Sequence, residues 1–423
     1  MSFQTGLSGL NASSRNLDVI GNNIANANTV GMKSSRAEFA DLVASSMGAG
    51  GGGGAGIGVT VATTSQQFSQ GNINITGNNM DVAINGGGFF QLTMPDGSAA
   101  YTRDGAFKLN NTGNVVTNGG AKVMGYPTDI KGVATSNTVQ ALTLPTGAPI
   151  AAKATTAIGA AFNLDARAPL AAGVPAVAAN PTAVPPVLAV AAIPVTPRST
   201  YGTSLTAYDT QGVPVPVSLY FERDVSAAGS DKWKVFNSLD TAVTTPLFTM
   251  EFDANGKLIS APTQDLTIAT PSAATADITA TLDVSKVTQY GSAFSVSDLT
   301  QDGYTSGELV SMKIGDDGRI TARYSNGQSQ VAGQVALADF RNVQGLAPTG
   351  GNNWVATNAS GQAVQGSPGI GKFGALTSGA LEESNVDLTA ELVNMMTAQR
   401  AYQANAQTIK TQDQVMSTLV NLR

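Results

Sequence analysis

The residues best suited to chemistry are few in this chain, and none falls into a pattern that completes a reactive site. Its 423 residues include neither cysteine nor histidine. Without cysteine there are no disulfides, zinc–thiolate sites or thiol nucleophiles. Without histidine the commonest general base and transition-metal ligand are gone. Carboxylates and Ser–Lys pairs remain, but no recognisable set of them appears, so no catalytic, cofactor-binding or metal-ligating residues are expected and no enzyme is read. Asp316-Asp317-Gly318 has acids for calcium but lacks the spacing of a calcium loop, and reads as a hairpin turn. The glycine run from Gly48 to Gly58 lacks the Gly-Lys-Ser/Thr of a phosphate loop and has no clear strand before it, so it reads as a flexible linker. Asn22, Asn23, Asn26 and Asn28 have the amides for catalysis or glycan binding; capping and interhelix hydrogen bonding suit them better. Phe89, Phe90 and Trp233 read as core or interface anchors. Arg103 is expected to order its surroundings through a carboxylate that the sequence does not identify.

The elements that hold these residues are more telling. Near the start, Phe3, Leu7, Leu10, Leu17 and Ile24 fall on alternating four- and three-residue steps, with Ser14 and Gly21 in the two missed places. Near the end, Leu388, Leu392, Met395, Tyr402, Ala406, Ile409, Met416 and Val420 follow the same steps, missed at Gln399 and Asp413. This spacing places a narrow apolar seam on each helix, as in a coiled coil. A seam needs a partner, and the expected one lies at the opposite end of the same chain. The first helix is predicted from about Ser2 to about Asn28, with Gly31 as its stop. Its asparagines and Gly21 give it poor propensity, so alone in water it should be marginal. The second is predicted to start at a box formed by Ser384 and Asp387 and to run nearly to Arg423.

Composition narrows the class. Charged residues make up 12% of the chain, against roughly 25% for an ordinary soluble domain. A surface of Asn, Gln, Ser, Thr and Gly carries little self-repulsion and tolerates close approach of many copies. The balance of 23 basic and 29 acidic residues, with no basic cluster, argues against nucleic acid. No cleaved signal is read in the first 30 residues, and the longest apolar run, Val187 to Ile193, falls far short of the ~20 residues that span a bilayer. The chain is expected either to be cytosolic or to leave by a route that ignores such a signal, without inserting in a membrane.

Between the helices the text is β. Turn dipeptides Asn85-Gly86, Asp96-Gly97, Asp104-Gly105 and Asn118-Gly119 separate short strand-forming runs, and the same style returns from Glu308 to Ala338. Ala168–Pro197, with seven prolines and ten alanines, suits an extended surface segment. Leu205–Tyr208, Val215–Phe221 and Trp233–Phe236 read as strands of a separate unit. The expected fold class is mainly β with terminal α-helices, in nested domains. The helical coiled coil takes residues 1–30 and 384–423, a Gly-rich linker 31–70, a discontinuous β domain 71–145 and 286–372, and an inserted outer β domain 146–285.

Several long motifs, in order, resemble one family. Leu17 to Asn26, followed by Asn28-Thr29-Val30-Gly31-Met32-Lys33, resembles the N-terminal signature of bacterial flagellar axial proteins, the rod, hook and junction subunits. Asn385 to Leu388, with Ala398-Gln399-Arg400-Ala401-Tyr402 through Thr411, is similar to their C-terminal signature. Met80-Asp81-Val82-Ala83-Ile84, Gly88-Phe89-Phe90 and Tyr101-Thr102-Arg103-Asp104-Gly105 resemble the first β domain of hook subunits, and Tyr208-Asp209-Thr210-Gln211-Gly212 their outer domain. Asn22, Asn23, Asn26, Thr29, Gly31, Asp81, Gly88, Phe89, Phe90, Arg103, Gln399 and Arg400 carry the signature. Two departures are the five glycines Gly50 to Gly54, where a more varied linker is usual, and Met32, where an aromatic is common.

The resemblance implies a subunit of a short curved tube that passes motor torque to the filament while bending. The large central insertion favours hook over distal rod or hook–filament junction. It also implies export through the flagellar type III apparatus, location outside the cell, and contact with rod, hook-cap and junction proteins as well as with copies of itself. A rival of another class is a secreted β-rich adhesin or polysaccharide enzyme, for which a cleavable signal and paired acids would be expected.

Overall fold

A computed structural model of the chain describes residues 2–43, 56–129, 132–144, 149–173, 175–177, 191–225, 230–270 and 276–421. Most of the glycine run and the middle of the Ala/Pro-rich stretch lie outside the described residues, so the expectations placed on them are not met with structure here. The chain divides into two compact units. The first takes Met1–Ala148, Leu309–Arg323 and Gln328–Arg423, and the second Pro149–Glu308 and Tyr324–Gly327.

The first unit begins and ends with helices, α1 (Ser2–Ala25) and α2 (Leu388–Asn421). α1 stops earlier than Asn28: the Asn26 side chain donates to the Asn22 carbonyl at 3.0 Å, and a turn leads to Gly31 at φ +69°. At the head of α2 the cap is Asp387 rather than Ser384. Its Oδ1 accepts from the amides of Thr389 at 2.9 Å and Ala390 at 3.1 Å, satisfying two donors that a helix N-terminus leaves free.

The expected linker is largely a hairpin. β1 (Ser35–Val43) pairs antiparallel with β2 (Gly56–Gln66), so Gly56 to Gly58, read as loop, belong to a strand. β3 (Ile73–Ile75), β4 (Val82–Asn85), β5 (Phe89–Thr93) and β6 (Ala99–Thr102) follow. β5 pairs with β6, with Lys122–Tyr126 and with Leu337–Asp339, which brings sequence-distant segments into one sheet. Successive residues of a strand face opposite sides, and here that splits two neighbours between two cores. Phe90 packs with Val82, Leu92, Phe107, Val123 and Leu337. Phe89 packs with Tyr101, Phe340, Trp354 and Phe68, the rings meeting edge to face at 5.6 Å for Phe68 and 5.7 Å for Trp354. Asp316-Asp317-Gly318 is a hairpin turn: the Gly315 amide donates to the Arg319 carbonyl at 2.8 Å.

The second unit is a sandwich about one core. Gly202–Tyr208, Pro214–Asp224, Ser230–Phe236 and Phe248–Asp253 form an antiparallel meander. A second sheet joins Thr263–Ile268, Ile278–Asp283, Ala157–Asp165 and Thr288–Tyr290, with Ser295–Gln301 also on Ala157–Asp165. Alternation sends Val215, Val217, Leu219 and Phe221 inward onto Trp233, Phe162 and Leu282. Residues 286–308 differ from expectation. The sequence grouped them with the discontinuous β domain, but their strands hydrogen-bond to Ala157–Asp165 and fall in the second unit.

Candidate functional site

The two terminal helices pair, but on α1 the contact does not follow the expected seam. Gly6 and Gly9 lie against Ile409 and Asn405: a Cβ on Gly6 would sit 3.1 Å from Ile409 Cγ1, and one on Gly9 would sit 2.9 Å from Asn405 Nδ2. Asn405 Nδ2 reaches Ser13 Oγ at 3.4 Å, and Asn23 Nδ2 reaches Glu391 Oε1 at 3.4 Å. The chain direction is therefore antiparallel, and the contact stripe of α1 is Gly6, Gly9, Ser13, Ile20 and Asn23. It is displaced by one residue, ~100° around the helix, from the apolar stripe. Small residues let the backbones come close, but they bury little apolar area.

The apolar stripe is covered only in part. Phe3 is 51% exposed and Leu7 is also exposed, while Leu10, Leu17 and Ile24 are half-buried. On α2, Leu388 at 48%, Met416 at 60%, Leu392 and Tyr402 are exposed. Met395, Ala406 and Ile409 are half-buried, Ile409 lying in the helix contact against Gly6, and the Val420 side chain lies outside the described residues. Val393, Met396 and Val415, which fall off the seam spacing, add to the exposed apolar surface of α2. Gln399 and Arg400 are exposed too. The structure thus brings together the ends of the chain while leaving most of their large apolar side chains facing outward.

Beneath the helices lies a joint that the sequence did not reveal. Glu382 ends the strand Ala380–Glu382, which pairs with β3. Its Oε1 accepts from Lys33 Nζ at 2.6 Å and from the Gly71 amide at 2.9 Å, and its Oε2 from Arg103 Nη1 at 3.2 Å. Lys33 also donates to the Ser69 carbonyl at 2.6 Å, and Arg103 Nη2 to the Gly86 carbonyl at 2.9 Å. The Lys33 and Glu382 side chains are both 0% exposed. Burial pushes the Lys33 ammonium and the Arg103 guanidinium below their usual values, against the pull of Glu382. Removing one member of such a buried pair generally costs about 3–5 kcal/mol, since the other charge is then uncompensated. Glu382 is the carboxylate expected for Arg103; Lys33, the last residue of the N-terminal motif, completes the set.

Other signature residues serve the same joint. The Gly31 amide donates to the Glu382 carbonyl at 2.8 Å. The Ser34 amide donates to Asn385 Oδ1 at 2.7 Å, and Asn385 Nδ2 donates to the Gln67 carbonyl at 2.7 Å. Asn352 Nδ2 donates to the Val30 carbonyl at 2.7 Å. Asn23 is buried and exchanges two hydrogen bonds with the Ser35 backbone, whereas Asn22 is exposed. Thr29 Oγ1 donates to Asn26 Oδ1 at 3.3 Å. Asp81 accepts from Thr76 Oγ1 at 2.6 Å and Asn78 Nδ2 at 3.0 Å, fixing the turn before β4. Gly88 takes φ +111° beside Leu337 and Phe373.

Among the described residues no helix is long and apolar enough to cross a membrane. Four family models match the chain. The "Flagella basal body rod protein" model covers residues 3–33 and the "Flagellar hook protein FlgE/F/G D1 domain" model covers 83–157. The "Flagellar basal body protein FlaE D2 domain" model covers 175–304, and the "Flagellar basal body rod FlgEFG protein C-terminal" model covers 377–422. Among curated relatives, the flagellar hook proteins FlgE of Salmonella typhimurium and Escherichia coli are each 42% identical over 436 residues, with all of both chains covered. That of Treponema pallidum is 32% identical over 480 residues, covering all of this chain and 99% of its own. The crystal structure of Helicobacter pylori flagellar hook protein FlgE2 matches with a TM-score of 0.53 at 16% identity. It covers 73% of this chain and 100% of its own, a likeness of fold. Matches that span whole hook proteins decide against the distal-rod, junction and adhesin alternatives. A chain with these helices, this nested β layout and 42% identity end to end belongs to the flagellar hook protein FlgE family, the structural subunits of the hook.

Proposed function

We propose that the chain polymerises into the hook tube through the apolar seams that its own helices leave open. The observation that carries this reading is the exposure of Phe3, Leu7, Leu388, Leu392 and Met416 on helices whose mutual contact is made by Gly6, Gly9, Ser13 and Asn23. Each large side chain buried against a neighbour contributes about 1.5–3 kcal/mol, offset by the entropy of ordering the helices. A first helix of poor propensity, joined to the second by a stripe of small and polar residues, therefore gains firm structure from neighbouring copies. Small uncharged surfaces on the β units would let adjacent copies shift as the tube bends. Residues 1–30 and 384–423 form the core layer in this reading.

The role is structural, with no catalytic step. The chain leaves the cytoplasm by the flagellar export apparatus, assembles outside the cell beneath a hook cap, and meets rod proteins at one end and junction proteins at the other. Absence of cysteine suits passage and polymerisation without wrong disulfides. The test is deletion of residues 1–30 from the purified protein. The expected product keeps the β circular-dichroism signal and its melt but forms no tubes in electron micrographs; a truncated chain that still forms tubes would contradict the reading.

A further inference from the structure

The joint at Glu382 bears on how the assembled tube bends, an inference that rests on the polymer reading above. The chain passes between its helical end and its β sheets at three places: Gly31–Lys33 after α1, Ser69–Gly71 after the β1–β2 hairpin, and Glu382 before α2. All three are tied to one residue. The Gly31 amide donates to the Glu382 carbonyl and the Gly71 amide to its Oε1, while Lys33 bridges Oε1 to the Ser69 carbonyl. Arg103 holds Oε2 from the β side and is itself held by the Gly86 carbonyl. Glycine is the residue most able to swivel, so Gly31 and Gly71 are the points at which the joint can turn once these bonds open. A dry cluster of charge-assisted hydrogen bonds has one favoured geometry, whereas apolar contacts slide.

We propose that Glu382 is a positioning residue for the hook: it locks the Gly31 and Gly71 hinges, fixes the direction in which the terminal helices leave the β sheets, and thereby sets the bending stiffness of the tube. Two variants of the full chain test this, Glu382→Gln and Lys33→Met, the second keeping Glu382 paired with Arg103. In the soluble protein, amide exchange at Gly71, which is bonded to the side chain, should rise about tenfold in Glu382→Gln, and that at Gly31, bonded to the Glu382 backbone carbonyl, should rise less; both should move in the same direction but less in Lys33→Met, with β5 amides unchanged. Tubes grown from either variant should show a bending persistence length lowered about twofold or more. Unchanged exchange at both glycines, or tubes of wild-type persistence length, would overturn the proposal. Should Glu382→Gln fail to fold, Lys33→Met alone decides. Should the wild-type chain form no tubes, the polymer reading fails, and exchange at the two glycines still decides whether Glu382 locks them.

Discussion

Asn23 and Ser35 exchange two hydrogen bonds: Asn23 Nδ2 donates to the Ser35 carbonyl at 2.8 Å, and the Ser35 amide donates to Asn23 Oδ1 at 2.9 Å. An amide side chain near the end of α1 thus takes the place of a strand partner at the first residue of β1. This pins the helix to the hairpin. Asn23→Ala removes both bonds and leaves a part-buried amide unpaired, which should cost about 1–3 kcal/mol of that docking. In assembled tubes, exchange at the Ser35 amide should quicken, and α1 should fray from its C-terminal end. Wild-type exchange at Ser35 would count against the pairing.

Gly31 should accept no side chain. Its φ is +69°, and a Cβ there would lie 2.6 Å from the Asp104 amide nitrogen and 2.8 Å from the Arg103 carbonyl carbon. The left-handed backbone alone costs about 1–2 kcal/mol for an L-residue, and displacing β-sheet backbone adds to it. Gly31→Ala should therefore lower the urea midpoint of the first unit while leaving the melt of the second in place. An unchanged midpoint would show that the close approach is absent.

Replacing the outward seam should separate assembly from folding. Leu7→Ser and Leu392→Ser remove exposed side chains, so the thermal melt of the soluble protein should stay within experimental error. Loss of about 1.5–3 kcal/mol of burial per contact should raise the critical concentration for tube growth about tenfold or more. A variant that melts early but polymerises normally would reverse the roles assigned to the two stripes of the helix.

In the second unit Asp302 contributes to acid stability. Burial raises its carboxyl, but the Lys153 ammonium, the Thr156 hydroxyl and the amides of Ala157 and Thr156 outweigh that and hold it well below the usual carboxylate range. A carboxyl depressed in the folded state stabilises fully above its unfolded value, ~3.9, and that contribution is lost as pH falls toward the folded value. Stability of this unit should fall below about pH 4, and Asp302→Asn should make that limb of the curve shallower while lowering stability at neutral pH, the depressed carboxyls of Asp165, Asp224, Asp253 and Asp283 keeping the rest of it. Parallel acid limbs for variant and wild type would remove Asp302 from the account.

The sequence displayed what is local. The four-three steps marked both helices, turn dipeptides marked hairpins such as Asp316-Asp317-Gly318, and alternation marked Val215 to Phe221. It hid what joins distant segments. Lys33 and Glu382 lie 349 residues apart, and nothing near either says they meet. The pairing of Ser295–Gln301 with Ala157–Asp165 was hidden for the same reason, which shifted one domain boundary. The helix seam shows a subtler limit: periodicity finds an apolar stripe but not its partner. Here the chain's own partner takes the neighbouring stripe of Gly6, Gly9 and Ser13, where Asn405 and Ile409 approach glycine.

The central claim is that α1 and α2 become firmly ordered only when copies of the chain cover their exposed seams. Amide hydrogen exchange across residues 2–25 and 388–421, measured on the same protein in dilute solution and in assembled tubes, tests it most directly. Rapid exchange in solution, comparable to that of frayed helices, and strong protection in the tube are expected. Equal, strong protection of both helices in dilute solution would contradict it.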